Sequence, residues 1–160
     1  MHQQYHKVKT GKILLVCFTV CSVVYLGLLY WINQRVDVAD ISGCETAGAE
    51  EMEYKIEKVS CMYDYIDIRG YAYQPGVSLL TADTELLAYD AAAGLYYRLP
   101  TEQVKKPKLT KQADDGCNYD YAQFRSVTLQ KKIPDGSRIC IWYKGNGANT
   151  LIQTDEVIYY

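Results

Sequence analysis

Residues 13–32 (ILLVCFTVCSVVYLGLLYWI) carry no charge, and no other feature constrains this chain as strongly. As a helix rising about 1.5 Å per residue they reach about 30 Å, the thickness of a bilayer's hydrocarbon core. A soluble core helix of that length would carry a polar stripe, yet only Thr19, Ser22, Tyr25 and Tyr30 interrupt the apolar run. A cleaved signal has a shorter apolar stretch, about 7 to 15 residues, with small residues at the cut. Here the run ends in Tyr30, Trp31, Asn33 and Arg35, and Tyr30 and Trp31 are placed as an interfacial aromatic belt. The segment is read as one uncleaved transmembrane helix.

Its flanks orient it. Lys7, Lys9 and Lys12 stand in a basic tail, 1–12, without an acid, whereas Arg35 is followed by Asp37, Asp40, Glu45, Glu50 and Glu51. Basic residues are retained in the cytoplasm, so the amino terminus is expected there and the rest of the chain outside the cell membrane. From Asn33 onward fourteen basic residues (all but Lys7, Lys9 and Lys12 of the seventeen) meet nineteen acidic ones, a net charge of −5. That sign speaks against nucleic acid as a partner.

Residues 33–51 are small, acidic and aperiodic, which reads as a stalk. From Met52 a period of two sets in, and 52–160 is expected to be an all-β domain. Tyr54, Ile56 and Lys58 alternate with Lys55, Glu57 and Val59 in a first strand. Residues 65–73 put Ile66, Ile68, Gly70 and Ala72 on one face and Tyr65, Asp67, Arg69, Tyr71 and Tyr73 on the other. Residues 84–90 and 94–99 read as a hairpin turning at Gly94, and 105–111 (KKPKLTK) as a basic connection. Strand 122–130 is expected to alternate Phe124, Val127 and Leu129 with polar residues. SRICIWYK, apolar on both faces, is expected to be a central strand, and 150–159 the last one. Short strands separated by turns indicate an antiparallel β-sandwich.

Four cysteines, Cys44, Cys61, Cys117 and Cys140, are expected outside, where disulfides persist; Cys44 with Cys61 and Cys117 with Cys140 is the pairing with the shortest loops. Cys17 and Cys21 fall on one face of the membrane helix, as ordinary small positions or as a helix contact. Ile41-Ser42-Gly43-Cys44 resembles a bacterial lipobox, although Arg35, Asp37 and Asp40 separate it from the apolar run. In both cases the domain is tethered.

The chemistry narrows by elimination. Both histidines, His2 and His6, lie in the tail, so the domain has none for a triad or a zinc site. Asp67 with Asp90 is formally a carboxylate pair, but a domain of this size rarely has the cleft a glycosidase needs. Asp114, Asp115, Asn118 and Asp120 crowd one loop without the spacing of a calcium loop, and Gly145-Asn146-Gly147 lacks the lysine of a phosphate loop. No catalytic residue, cofactor or metal site is expected. Binding residues are sought instead among thirteen tyrosines beyond Asn33. Tyr65, Tyr71 and Tyr73 with Arg69 form a candidate row, unless that face is a second core face of the sandwich.

The order IRGYAYQPG, LLAYD, YYRLPT, KKPKLT, YDYAQF and DGSRICIWYKGNGANTLIQTDEVI resembles the small immunoglobulin-like accessory domains of Gram-positive bacterial surface proteins. Such domains accompany membrane acyltransferases and glycosyltransferases that build or decorate cell-wall polysaccharides. Where that pattern has arginine-proline-aspartate-valine and glycine-phenylalanine, this chain has Lys106-Pro107-Lys108-Leu109 and Gln123-Phe124. The resemblance implies an immunoglobulin-like sandwich, here on one anchor. The expected function is a tethered module that organises or recruits envelope proteins; the alternative is a carbohydrate-binding module holding surface polysaccharide near the membrane. A flat aromatic row with adjacent Asp or Asn would favour sugar, and a broad apolar patch with a charged rim would favour protein.

Overall fold

A computed structural model describes residues 2–34, 37–46 and 51–160. The chain divides into two compact units, Met1–Arg35 and Val36–Tyr160. The first is a single helix, α1 (His2–Gln34), so the basic tail continues the helix instead of preceding it. Within it Lys9–Ile32 is long and apolar enough to cross a membrane, with a mean hydropathy of 2.4. Ile13, Leu14, Leu15 and Val16 point to four sides of the helix, and each is more than half exposed.

In the second unit the described residues form eight strands in two antiparallel sheets. The first sheet runs β1 (Glu53–Met62), β2 (Tyr65–Tyr73), β6 (Gln123–Leu129), β5 (Thr101–Val104); the second runs β4 (Leu95–Leu99), β3 (Thr84–Asp90), β7 (Arg138–Tyr143), β8 (Thr150–Val157). Ile66, Ile68 and Phe124 from the first sheet and Leu86, Ile139, Ile141 and Ile152 from the second share one core, so the sheets pack face to face as a sandwich. The hairpin at Gly94 and the central strand β7 lie where expected. Gly94 has φ of 68°, the left-handed geometry that the turn requires.

Two strands depart from simple alternation. In β1 the register slips between Ile56 and Lys58, so Glu57 is bulged and Ile56 and Val59, three apart, both pack on the core. In β6 the parity is opposite to the one expected beyond Phe124. Ser126 and Thr128 are the buried positions, and Val127 is exposed on the outer face. Phe124 sets the inward parity of β6, and period two then carries Ser126 and Thr128 inward whatever their polarity.

The chain changes sheets at Pro100. Proline has no N–H to extend β4, and beyond it the Thr101 hydroxyl links the two strands, accepting from Leu86 N at 2.9 Å and donating to Leu99 O at 2.9 Å. The basic connection contains a short helix, α2 (Pro107–Ala113), that starts on Pro107 and buries Leu109.

The acidic stalk needs correction as well. Residues 37–46 are part of the folded unit, and 47–50, like 33–36, lie outside the described side chains. Val38 bridges Tyr97 on β4, and Glu45 bridges Thr150 on β8. Between these points Ala39, Ile41 and Cys44 pack with Leu87, Cys140 and Leu151 on the outer face of the second sheet. The segment thus straps that face from one edge to the other. Asp37 pairs with Arg98, and Asn149 donates to Gly43 O at 2.6 Å.

Candidate functional site

With the second sheet strapped, the outer face of the first remains. Its β2 row is Tyr65, Asp67, Arg69, Tyr71 and Tyr73, and the structure splits that row in two. Tyr73 stacks on fully buried Tyr119 with ring centroids 4.1 Å apart, and Tyr71 stacks on Tyr73 at 5.9 Å. Leu109 of α2 and Ala122 complete this satellite core. Tyr71 and Tyr73 are therefore half-buried packing residues and form no open aromatic row. Burial raises both hydroxyls above the ordinary phenol range, with nearby Glu53 adding to it.

The oxygen-rich loop after α2 serves the same packing. Asp115 accepts from the Tyr119 hydroxyl at 2.5 Å, Gly76 N at 3.1 Å and Cys117 N at 2.9 Å. Those bonds hold its carboxyl below the usual range, the Tyr119 hydroxyl contributing most. Asp120 accepts from Thr110 Oγ1, and Asn118 Oδ1 accepts from Asp120 N. Among the described residues no group of histidine, cysteine or acidic side chains is arranged to hold a metal ion.

The other half of the row is open and charged. Asp67 is 8% exposed and receives Arg69 (Nη2 at 2.8 Å) and Arg125 (Nε at 3.1 Å), so one buried carboxylate bridges β2 and β6. The hydrogen bonds from Arg69 and then Arg125 outweigh burial and hold its pKa down to about 2. Asp90 lies on the other sheet and both Asp67 oxygens are taken up by arginine, so the two carboxylates do not flank one cleft as a glycosidase pair does. In register, Lys58, Arg69, Arg125 and Glu102 form a charged line across all four strands. Glu102 approaches Arg125 at 3.7 Å.

Beside this line the β1–β2 turn carries the most exposed aromatic of the domain. Tyr63 is 98% exposed and has φ of 54°. A side chain with a Cβ costs about 1 kcal/mol in that region, where glycine or asparagine would be at ease. Met62, Tyr63, Tyr65 and Val127 surround a shallow pocket of about 320 Å³ with Asp67 and Arg125 at its charged end. A second hollow, lined by Pro100, Thr101, Glu102, Arg125 and Val127, adjoins it. Of the four expected binding residues, Tyr65 and Arg69 reach this site and Tyr71 and Tyr73 do not. Met62 and Tyr63 were not legible as site residues because the hairpin at Tyr63-Asp64 lacks the usual glycine or asparagine, and Arg125 and Val127 because they join the site only through the register of β6 on β2.

The expected cysteine pairing is absent. All four are free thiols: Cys61 is exposed on β1, Cys117 lies against Tyr119, and Cys44 and Cys140 share the small cluster under the strap. Cys44 and Cys61 lie against opposite sheets, as do Cys117 and Cys140. Burial pushes the Cys140 thiol up to about 11, which disfavours the thiolate. Comparison with protein-family models, with curated proteins and with solved structures finds no match to this chain.

The Asp67 cluster predicts an acid-sensitive domain. Its folded pKa, about 2, lies below the unfolded 3.8, so its contribution is complete above the unfolded value and is lost as pH falls toward 2. The shift corresponds to about 2 kcal/mol. Urea unfolding followed between pH 6 and pH 2 should show this loss, and Asp67→Asn should flatten the curve by the same amount while lowering stability at pH 6. An unchanged slope would remove Asp67 from the account.

Proposed function

We propose that the protein is a membrane-tethered binding module of the cell envelope, with its amino terminus in the cytoplasm and an immunoglobulin-like domain outside. It binds rather than catalyses, and it organises or recruits envelope proteins. The observation that carries this reading is the contrast between the two outer faces. One is closed by the strap, whereas the other leaves Met62, Tyr63, Tyr65 and Val127 open beside a charged line. An apolar patch with a charged rim, rich in Tyr, Met and Arg, has the composition of a protein interface. The alternative, a polysaccharide, loses support because Tyr71 and Tyr73 are packed and Asp67 has spent its oxygens on two arginines.

The strand order supports the immunoglobulin-like assignment. With β1 to β8 lettered A, B, C, C′, D, E, F and G, the sheets read ABED and C′CFG. This domain lacks the buried tryptophan and inter-sheet disulfide of antibody domains and relies on Ile68, Leu86, Phe124 and Ile141. The anchor supports tethering, since only 33–36 separate the apolar span from residues folded into the domain.

Lys7, Lys9 and Lys12 on the amino-terminal side, against a mainly acidic flank after the apolar run, support this orientation. Protease added to intact protoplasts should remove a carboxy-terminal tag and spare an amino-terminal one. The reverse pattern would place the domain in the cytoplasm and end this reading.

A further inference from the structure

The rim of the open patch is built with an imbalance that the domain itself does not use. Lys58 lies directly opposite Arg69, and Arg69 directly opposite Arg125, an arrangement of like charges that disfavours the sheet. Asp67 and Glu102 offset two of these three cations, and Lys58 has no ion pair among the described residues. The line is left with a net positive charge in a domain whose overall charge is negative. Tyr63 adds a second unreturned cost, since its backbone is left-handed and its ring is 98% exposed. Strain and exposure held together at one turn point to a role outside the fold.

Resting on the module reading above, we infer that this pocket receives an apolar side chain of an acidic protein segment, whose carboxylate pairs with the Lys58–Arg69–Arg125 line. The lining selects the first element. Met62, Tyr63, Tyr65 and Val127 offer almost wholly apolar surface around about 320 Å³, at the lower end of the range of binding pockets. The line selects the second, because the donors that Arg69 and Arg125 do not spend on Asp67 suit a carboxylate. A sugar would find few free acceptors here, and an uncharged apolar chain would leave the cations unanswered.

The test pans phage-displayed random peptides against the full chain in nanodiscs and measures the selected peptides by fluorescence anisotropy. Enriched sequences are expected to share an aliphatic or aromatic residue within about three positions of Asp or Glu, and to weaken as salt rises. Their affinity should fall about tenfold or more in both Tyr63→Gly and Lys58→Glu, and likewise when the peptide glutamate becomes glutamine. Tyr63→Gly also relieves the left-handed backbone, so its thermal midpoint should equal or exceed that of the wild type. The inference is overturned if no peptides are enriched, if those enriched lack an acid, or if binding survives both substitutions. It is equally overturned if Tyr63→Gly lowers the midpoint, which would make Tyr63 a structural residue, or if an acidic polysaccharide or an anionic vesicle binds here instead of peptides. Failure of the peptides with the domain shown to be extracytoplasmic leaves the module reading standing; a cytoplasmic domain removes that reading whatever the pocket binds.

Discussion

A chain shortened to 52–160 should melt far below one that begins at Val36, even though every strand is present in both. The shorter chain loses the strap and uncovers Leu87, Cys140 and Leu151, which are at most 2% exposed in the intact domain. At about 1.5 to 3 kcal/mol for each large apolar side chain returned to water, Leu87 and Leu151 alone account for a loss of about 3 to 6 kcal/mol. For a domain of this size that lowers the midpoint by about 10 °C or more, a large part of an ordinary stability reserve. Circular dichroism melting measures it directly, and labelling by a thiol reagent gives an independent reading, because Cys140 becomes accessible only when the strap is gone. Equal midpoints would show that 37–46 contributes nothing to the fold.

Gly70→Ala should be nearly as damaging from a change of one methyl group. A Cβ at residue 70 would lie 2.4 Å from Lys55 O and 2.8 Å from the ring of Phe124. The first obstacle is backbone at the β1 bulge and the second is a fully buried side chain, so neither can step aside. Overpacking of this kind costs about 3 kcal/mol. Gly43→Ala is the control, since its Cβ would meet only Asn149 Nδ2 at 3.7 Å, an ordinary contact. Chemical denaturation should separate the two variants clearly; a wild-type transition for Gly70→Ala would refute the close approach of β1, β2 and β6.

What could be read from the residues was whatever a local period carries. Residues 13–32 announced a span by length and lack of charge, and Tyr65–Tyr73 and Arg138–Tyr143 announced strands by alternation and by apolar faces. Cross-strand register was not legible, and it decides most of the site. Nothing adjacent to Asp67 in sequence predicts Arg125 as its partner, since the two meet only when β2 lies antiparallel to β6. The strap was hidden for a different reason. Residues 37–46 are small and acidic like a linker, and their order comes from two edge bridges and a few contacts with a sheet that is already formed. Tyr71 and Tyr73 share the parity of Tyr65, so alternation alone could not show that α2 and Tyr119 cover one end of the face and leave the other open.

The open face is tested most directly by photo-crosslinking in the native membrane, with a photoreactive residue placed singly at Tyr65, on the open face of the first sheet, or at Gln153, which is exposed on β8. The account predicts a discrete protein adduct from position 65 and none from position 153. Adducts from position 153 alone, or equal labelling from both positions, would contradict it.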